Sequence, residues 1–148
     1  HNLCFFATGF SKSQLLAVKP NEKNGTVKTK IVWRLARSSV PEKPSLLLIN
    51  DHIYMIDDQG GLATCVAAKT GKEIWSERIG GNYSASPITA NGRIYFFSEE
   101  GKTTVIKASP NFKKLAENKL ATGFMASPAV HGNSLILRTK THLYRIGD

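Results

Sequence analysis

The chain has 148 residues, 41% of them hydrophobic and 9% aromatic, with 20 Lys and Arg set against 11 Asp and Glu for a net charge of +9. One domain of ordinary packing fits that length and apolar share. No run reaches the roughly 18 apolar residues of a spanning helix, since the most apolar stretch, Leu46-Leu47-Leu48-Ile49, stops at Asn50-Asp51-His52. By thirds the charge is +6, −3 and +6, which excludes a single basic tail. The basic residues alternate with apolar ones, as in Lys28-Thr29-Lys30-Ile31, and no basic stripe with interleaved aromatics accompanies them, so no nucleic acid is expected as partner. His1 opens the chain without a Met, a basic leader or a small-residue cleavage site, which suggests a fragment or processed product.

In chain order, the first predicted strands are Asn2–Thr8, Gln14–Lys19 and Lys30–Leu35. A proline-led apolar segment, a turn and a second apolar run then recur three times: Pro44 to Asn50-Asp51 to Ile53-Tyr54-Met55, Pro87 to Asn91-Gly92 to Ile94-Tyr95-Phe96, and Pro128 to Gly132-Asn133 to Leu135-Ile136-Leu137. The prolines lie 43 and then 41 residues apart. The stretch Ser76 to Pro87 also aligns without a gap on Glu117 to Pro128, ending in Tyr83-Ser84-Ala85-Ser86-Pro87 and Phe124-Met125-Ala126-Ser127-Pro128. Residues alternate with a period of two, and Gly, Asn, Asp and Pro mark every turn, so each repeat reads as four short strands. In the second strands, Ile53 and Met55 on one face and Tyr54 and Ile56 on the other are all apolar, which predicts burial on both sides. Four-stranded units of about 40 to 45 residues, each burying its faces on its neighbours, are β-propeller blades. The last predicted strands are Pro128–Val130, Ser134–Thr139 and His142–Ile146.

The fold class expected is therefore all-β, a partial propeller of about three and a half antiparallel blades. Its blades are an incomplete one at 1–43, complete ones at 44–86 and 87–127, and an incomplete one at 128–148. The first lacks its inner strand and the last its outer one. Propellers often close with one terminus completing the blade begun by the other, so the chain reads as the C-terminal part of a longer parent.

The run Gly61-Leu62-Ala63-Thr64-Cys65-Val66-Ala67-Ala68-Lys69-Thr70-Gly71-Lys72-Glu73-Ile74-Trp75 resembles the repeat of bacterial pyrroloquinoline-quinone-type (PQQ-like) propellers. The resemblance implies that Thr70 and Gly71 form the tight turn before the outer strand, and that Trp75, with Trp33 in the preceding blade, docks one blade on the next. The third blade has Phe112-Lys113-Lys114-Leu115 where the Thr-Gly turn and Trp would stand. Cys65 and Ala67 replace the Ala and Asp of the enzymatic branch's motif. Members of this family are usually exported, which implies a periplasmic or secreted parent. Similar propellers include the lipoprotein scaffold of the outer-membrane assembly machinery, quinoprotein dehydrogenases and domains linked to kinases.

For catalysis the sequence offers little. A quinoprotein dehydrogenase of this family uses a calcium-held quinone, an Asp base and often a pair of adjacent cysteines. Cys4 and Cys65 are far apart and read as small buried hydrophobes. Asp57-Asp58 and Glu99-Glu100 precede Gly60 and Gly101 at like repeat positions, which predicts solvated turns rather than a convergent acid–base pair. His1, His52, His131 and His142 show no metal-binding spacing, and nucleotide-binding and nucleophile-elbow motifs are absent. Asn24-Gly25-Thr26 and Asn82-Tyr83-Ser84 match the glycosylation pattern without further support. Tyr83 and Phe124, at equivalent positions entering the inner strands, are the one candidate ligand face, against the plainer reading of interblade packing.

These observations predict a non-catalytic binding scaffold of the bacterial envelope, with no catalytic, cofactor or metal residue in this chain and with neither PQQ nor calcium bound. Its partners would be a protein, peptide or glycan, besides the parent's remaining blades or a second copy. The alternatives are a dehydrogenase whose active site lies in other blades, separable by calorimetric titration of the parent with PQQ and calcium, and a kinase-linked sensor domain.

Overall fold

The computed structural model describes residues 2–9, 12–23, 26–37 and 39–147. His1 and the Asn24-Gly25 pair of the first glycosylation pattern lie outside them. Fourteen strands are formed among the described residues, and none of these residues is helical.

The strands make four antiparallel sheets, each a simple meander in chain order. The first holds β1 (Cys4–Thr8), β2 (Gln14–Lys23) and β3 (Thr26–Ala36). The second holds β4 (Leu47–Ile49), β5 (His52–Ile56), β6 (Leu62–Ala67) and β7 (Glu73–Arg78), and the third β8 (Ile88–Ala90), β9 (Arg93–Phe97), β10 (Lys102–Lys107) and β11 (Lys114–Lys119). The fourth holds β12 (Ala129–His131), β13 (Ser134–Arg138) and β14 (Leu143–Ile146). Among the described residues sheets one and four thus have three strands each, with no inner strand in the first and no outer strand in the fourth.

The repeat is more regular than the prolines suggest. The inner strands β4, β8 and β12 begin at 47, 88 and 129, so each step is 41 residues. In that register Pro87 matches Leu46, and Pro44, 43 residues upstream of Pro87, is not its counterpart. Serines 45, 86 and 127 are the equivalent residues that open the inner strands.

Because side chains alternate across a strand, every central sheet has one face toward the sheet before it and one toward the sheet after it. Ile53, Met55 and Val66 of the second sheet pack backward on Leu15, Phe5, Trp33 and Leu35 of the first. Tyr54, Ile56, Ala63 and Cys65 pack forward on Ile94, Phe96 and Ile106 of the third. Phe97, with Tyr95 at its edge, packs forward on Leu135, Leu137 and Tyr144 of the fourth. The core is thus three interblade layers, and this explains the doubly apolar second strands: Ile53, Tyr54, Met55 and Ile56 are all buried. No strand pair could bury both faces alone, so each blade depends on its neighbours.

The outer strands share one irregularity. The pairing slips between Ala17 and Val18 in the first sheet, Cys65 and Val66 in the second, and Val105 and Ile106 in the third. Each slip is a one-residue bulge on the outer strand, at Val32, Ile74 and Leu115, and these three aliphatic side chains are exposed. A bulge bends an edge strand away from flat pairing, which protects it from edge-to-edge association.

Candidate functional site

The residues singled out by the sequence fall into two groups, a set that latches blades at the rim and a polar seam where the loops cross between them.

The latch is a tight turn covered by a tryptophan of the preceding blade. Ala67 accepts backbone hydrogen bonds from Thr70 and Gly71 (3.2 and 2.8 Å), and the Thr70 hydroxyl accepts one from Lys72 N (3.3 Å), closing the tight turn. Gly71 has φ of +70°, and a Cβ there would stand 2.6 Å from a Trp33 ring carbon. The Trp33 indole lies over this turn and donates to Ala68 O at 3.0 Å. Trp75 repeats the arrangement one blade later, donating to Ser109 O at 3.4 Å and meeting Phe112 edge to face at 5.1 Å. Arg37 and Glu73 add an ion pair across the first junction. The bulge fixes what replaces the tryptophan in the third sheet: Ala17 pairs with Trp33, Cys65 with Trp75 and Val105 with Ala116, so the latch position is Ala116, one residue beyond Leu115.

The seam engages the acidic pairs. Asp58 accepts from the backbone N–H groups of Glu42 (2.6 Å) and Lys43 (3.0 Å), fastening the linker that leads into the second blade. Glu99 accepts from the Ser84 hydroxyl (2.5 Å), and Glu100 accepts from both N (3.2 Å) and Nδ2 (3.0 Å) of Asn82. Asp57 accepts from Leu62 N at 2.6 Å within its own turn, where Ser98 serves the next blade by accepting from Lys102 N. A second ladder joins the inner strands: Ser45 N donates to the Ser86 hydroxyl (3.0 Å) and Ser86 N to the Ser127 hydroxyl (2.9 Å), each 41 residues on. The carboxylates are therefore half-buried or exposed clamps on backbone and side-chain donors, more tightly engaged than solvated turns would be. Burial raises the Asp57 carboxyl above its ordinary range despite the Leu62 bond. Burial acts in the same direction on Glu100, but hydrogen bonds from Ser98 and Asn82 outweigh it and the net direction is down.

Of the two readings weighed for Tyr83 and Phe124, the structure has them packed in the core rather than on an open ligand face. They are 0% and 1% exposed. Tyr83 sits in the layer between the second and third sheets, its hydroxyl donating to Gly80 O at 2.9 Å, and Phe124 meets Phe97 edge to face at 5.3 Å. Both enter the core because the linker chain is fastened to the neighbouring loop on either side, Tyr83 N to Asp58 O and Phe124 N to Ser98 O. Their repetition marked the positions correctly, and the Ala-Ser-Pro that follows each was the available sign of a packed linker. The cysteines divide: Cys65 is fully buried, its thiol pushed up to about 11 chiefly by burial, whereas Cys4 is exposed. Both are free thiols. Sequence reasoning missed the serine ladder, whose only trace is the recurrence of Ser at a spacing of 41.

The carboxylates of the seam are engaged by donors of the linkers. Calcium takes six to eight oxygen ligands, and here the oxygens of Asp58, Glu99 and Glu100 already face N–H or O–H donors. Among the described residues no three His, Cys, Asp or Glu side chains gather where they could hold a metal ion. Cys4 and Cys65 belong to different sheets and cannot form the ring of adjacent cysteines.

No family model matches the chain. The outer membrane protein assembly factor BamB of Marinobacter adhaerens is 29% identical to it over 91 residues, 62% of this chain and 23% of that protein. Among solved structures, a europium-containing methanol dehydrogenase superposes with a TM-score of 0.63 at 13% identity, covering 80% of this chain and 23% of the enzyme. BamB from Moraxella catarrhalis superposes with a TM-score of 0.57 at 13% identity, covering 87% of this chain and 46% of that one. The chain thus spans less than half the length of any of these three proteins. Among the described residues no helix is long and apolar enough to cross a membrane. The 41-residue period, the four meander sheets and these likenesses together make the chain a partial β-propeller, and its Thr-Gly-Lys turn under a tryptophan resembles the repeat of PQQ-like propellers.

Proposed function

We propose that this chain is part of a non-catalytic binding scaffold of the bacterial envelope, whose stacked blades present loops and rims to a protein partner. The observation that carries this reading is the seam. Asp58, Glu99 and Glu100, the side chains closest to an acid–base set, each hold a backbone or side-chain donor of an interblade linker. A carboxylate so engaged fixes a surface in place and is poorly placed to exchange protons with a substrate. Likeness to BamB, an outer membrane protein assembly factor by its name, supports a periplasmic scaffold that engages proteins rather than small molecules. In this reading neither PQQ nor calcium is bound.

The likeness to a methanol dehydrogenase favours one rival, an enzyme whose active site is built by blades outside these residues. Calorimetric titration of the full-length parent with PQQ and calcium separates the two. No saturable heat is expected, and a saturable one-to-one isotherm would overturn the scaffold reading. Its positive counterpart is crosslinking of the parent in intact cells, which should trap a discrete envelope protein.

A further inference from the structure

The forward face of the fourth sheet departs from the pattern of the other two. Strand register assigns equivalent positions across blades. Ile56, Phe97 and Arg138 end the second strands, and Cys65, Val105 and Arg145 are the third-strand partners of Tyr54, Tyr95 and Ile136. Ile56, Cys65 and Phe97 are fully buried against the following blade, and Val105 is 5% exposed. In the fourth sheet Leu135, Leu137 and Tyr144 pack back on the third. Alternation therefore puts Ile136, Arg138, Leu143 and Arg145 together on the opposite, forward face. Arg138 and Arg145 are exposed, and Leu143 is 72% exposed. Arg145 Nε donates to the Ser134 hydroxyl at 3.0 Å, and among the described residues neither guanidinium has a carboxylate partner.

We propose that this face docks an acidic β-sheet, one that sets carboxylates against Arg138 and Arg145 and aliphatic side chains against Ile136 and Leu143. Covering the face with an apolar sheet, as at the other junctions, would strip water from two guanidinium groups and return nothing to them. A carboxylate takes a guanidinium through two parallel hydrogen bonds, which the planar fork of Arg favours over Lys. A second copy of this chain does not supply that surface. The rear face of its first sheet carries Cys4, Phe6, Leu16 and Val18, with Arg34 paired across from Leu16. Stacking it here would bring cation against cation. The occupant is a sheet of the kind that forms the rest of the molecule, because every other blade face among the described residues that is covered at all is covered by a neighbouring sheet.

The test is fluorescence anisotropy of this 148-residue chain with a labelled, cyclised β-hairpin peptide bearing Glu and Val on one face, beside the same hairpin with Gln for Glu. The Glu hairpin should bind, more weakly as salt rises, and the Arg138→Gln, Arg145→Gln double variant should lose at least about tenfold in affinity. The corresponding double Lys variant should retain part of the binding, and the Gln hairpin should bind neither protein. Circular dichroism of the double variant checks its fold, and both side chains are exposed, so the fold should persist. Equal binding to wild type and double Gln variant, or no binding of the Glu hairpin to wild type, would overturn the proposal. So would a dimer in light scattering that the double Gln variant abolishes, which would make a second copy the occupant.

Discussion

The first two blade junctions and the third have the same kind of core but different rims. Trp33 and Trp75 each reach from an outer strand over the turn of the next blade. At the third junction the same position is Ala116. The inner layer persists regardless, through Phe97, Phe124, Leu135 and Leu137. Inner packing and outer latch are therefore separable parts of blade docking. The tryptophan stands at the first two junctions, and alanine takes its place at the third.

That comparison can be broken at its strongest point first. Trp75→Ala removes an indole that meets Tyr54 and Phe112 and should cost about 3 kcal/mol in urea unfolding. Ala116→Trp, with no turn to cover among the described residues, should change the stability of this 148-residue chain by less than about 0.5 kcal/mol. A large gain from Ala116→Trp would show that the tryptophan stabilises its own sheet rather than the junction.

Gly71→Ala comes next, because it meets both a left-handed backbone and the Trp33 ring, and a loss of about 2 kcal/mol is expected. Gly92→Ala has the same backbone demand, with φ of +69°, but nothing within 4 Å of the added Cβ, so it should lose about 1 kcal/mol. The difference between the two, read by thermal unfolding, isolates the contact with the latch. Ser86→Ala and Ser127→Ala each leave a backbone donor without its partner and should cost about 1 kcal/mol. Equal losses would show that the inner ladder is indifferent to whether a latch is present.

The smallest effects are those of pH, and the two seam carboxyls have opposite signs. Asp57, raised on folding, contributes most below its unfolded pKa, and its contribution is lost as pH rises through its folded value. Glu100, lowered on folding, contributes above its unfolded pKa and loses that contribution as pH falls through its folded value. Asp57→Asn should therefore flatten the decline of stability with rising pH, while Glu100→Gln should flatten the decline on acidification, both measured as midpoint denaturant concentration against pH.

The sequence by itself determined the all-β class, the four-stranded unit and the doubly buried second strands. These depend on local signals: alternation of two and turn residues at fixed offsets. Cys65 could be read as buried for the same reason, being one of an unbroken apolar run. What only the tertiary structure decided depends on pairing between strands distant in the chain. A single bulge moves the latch position from Leu115 to Ala116. Linkers tied to neighbouring loops turn Tyr83 and Phe124 inward and decide between the two readings the sequence left open. Cys4 is exposed because no blade lies behind the first sheet among the described residues. Likewise, Arg138 and Arg145 stand seven residues apart in the sequence with nothing there to join them. Only the antiparallel register of β13 and β14, set by hydrogen bonds between them, places both on one face at positions that the other blades fill with buried apolar side chains.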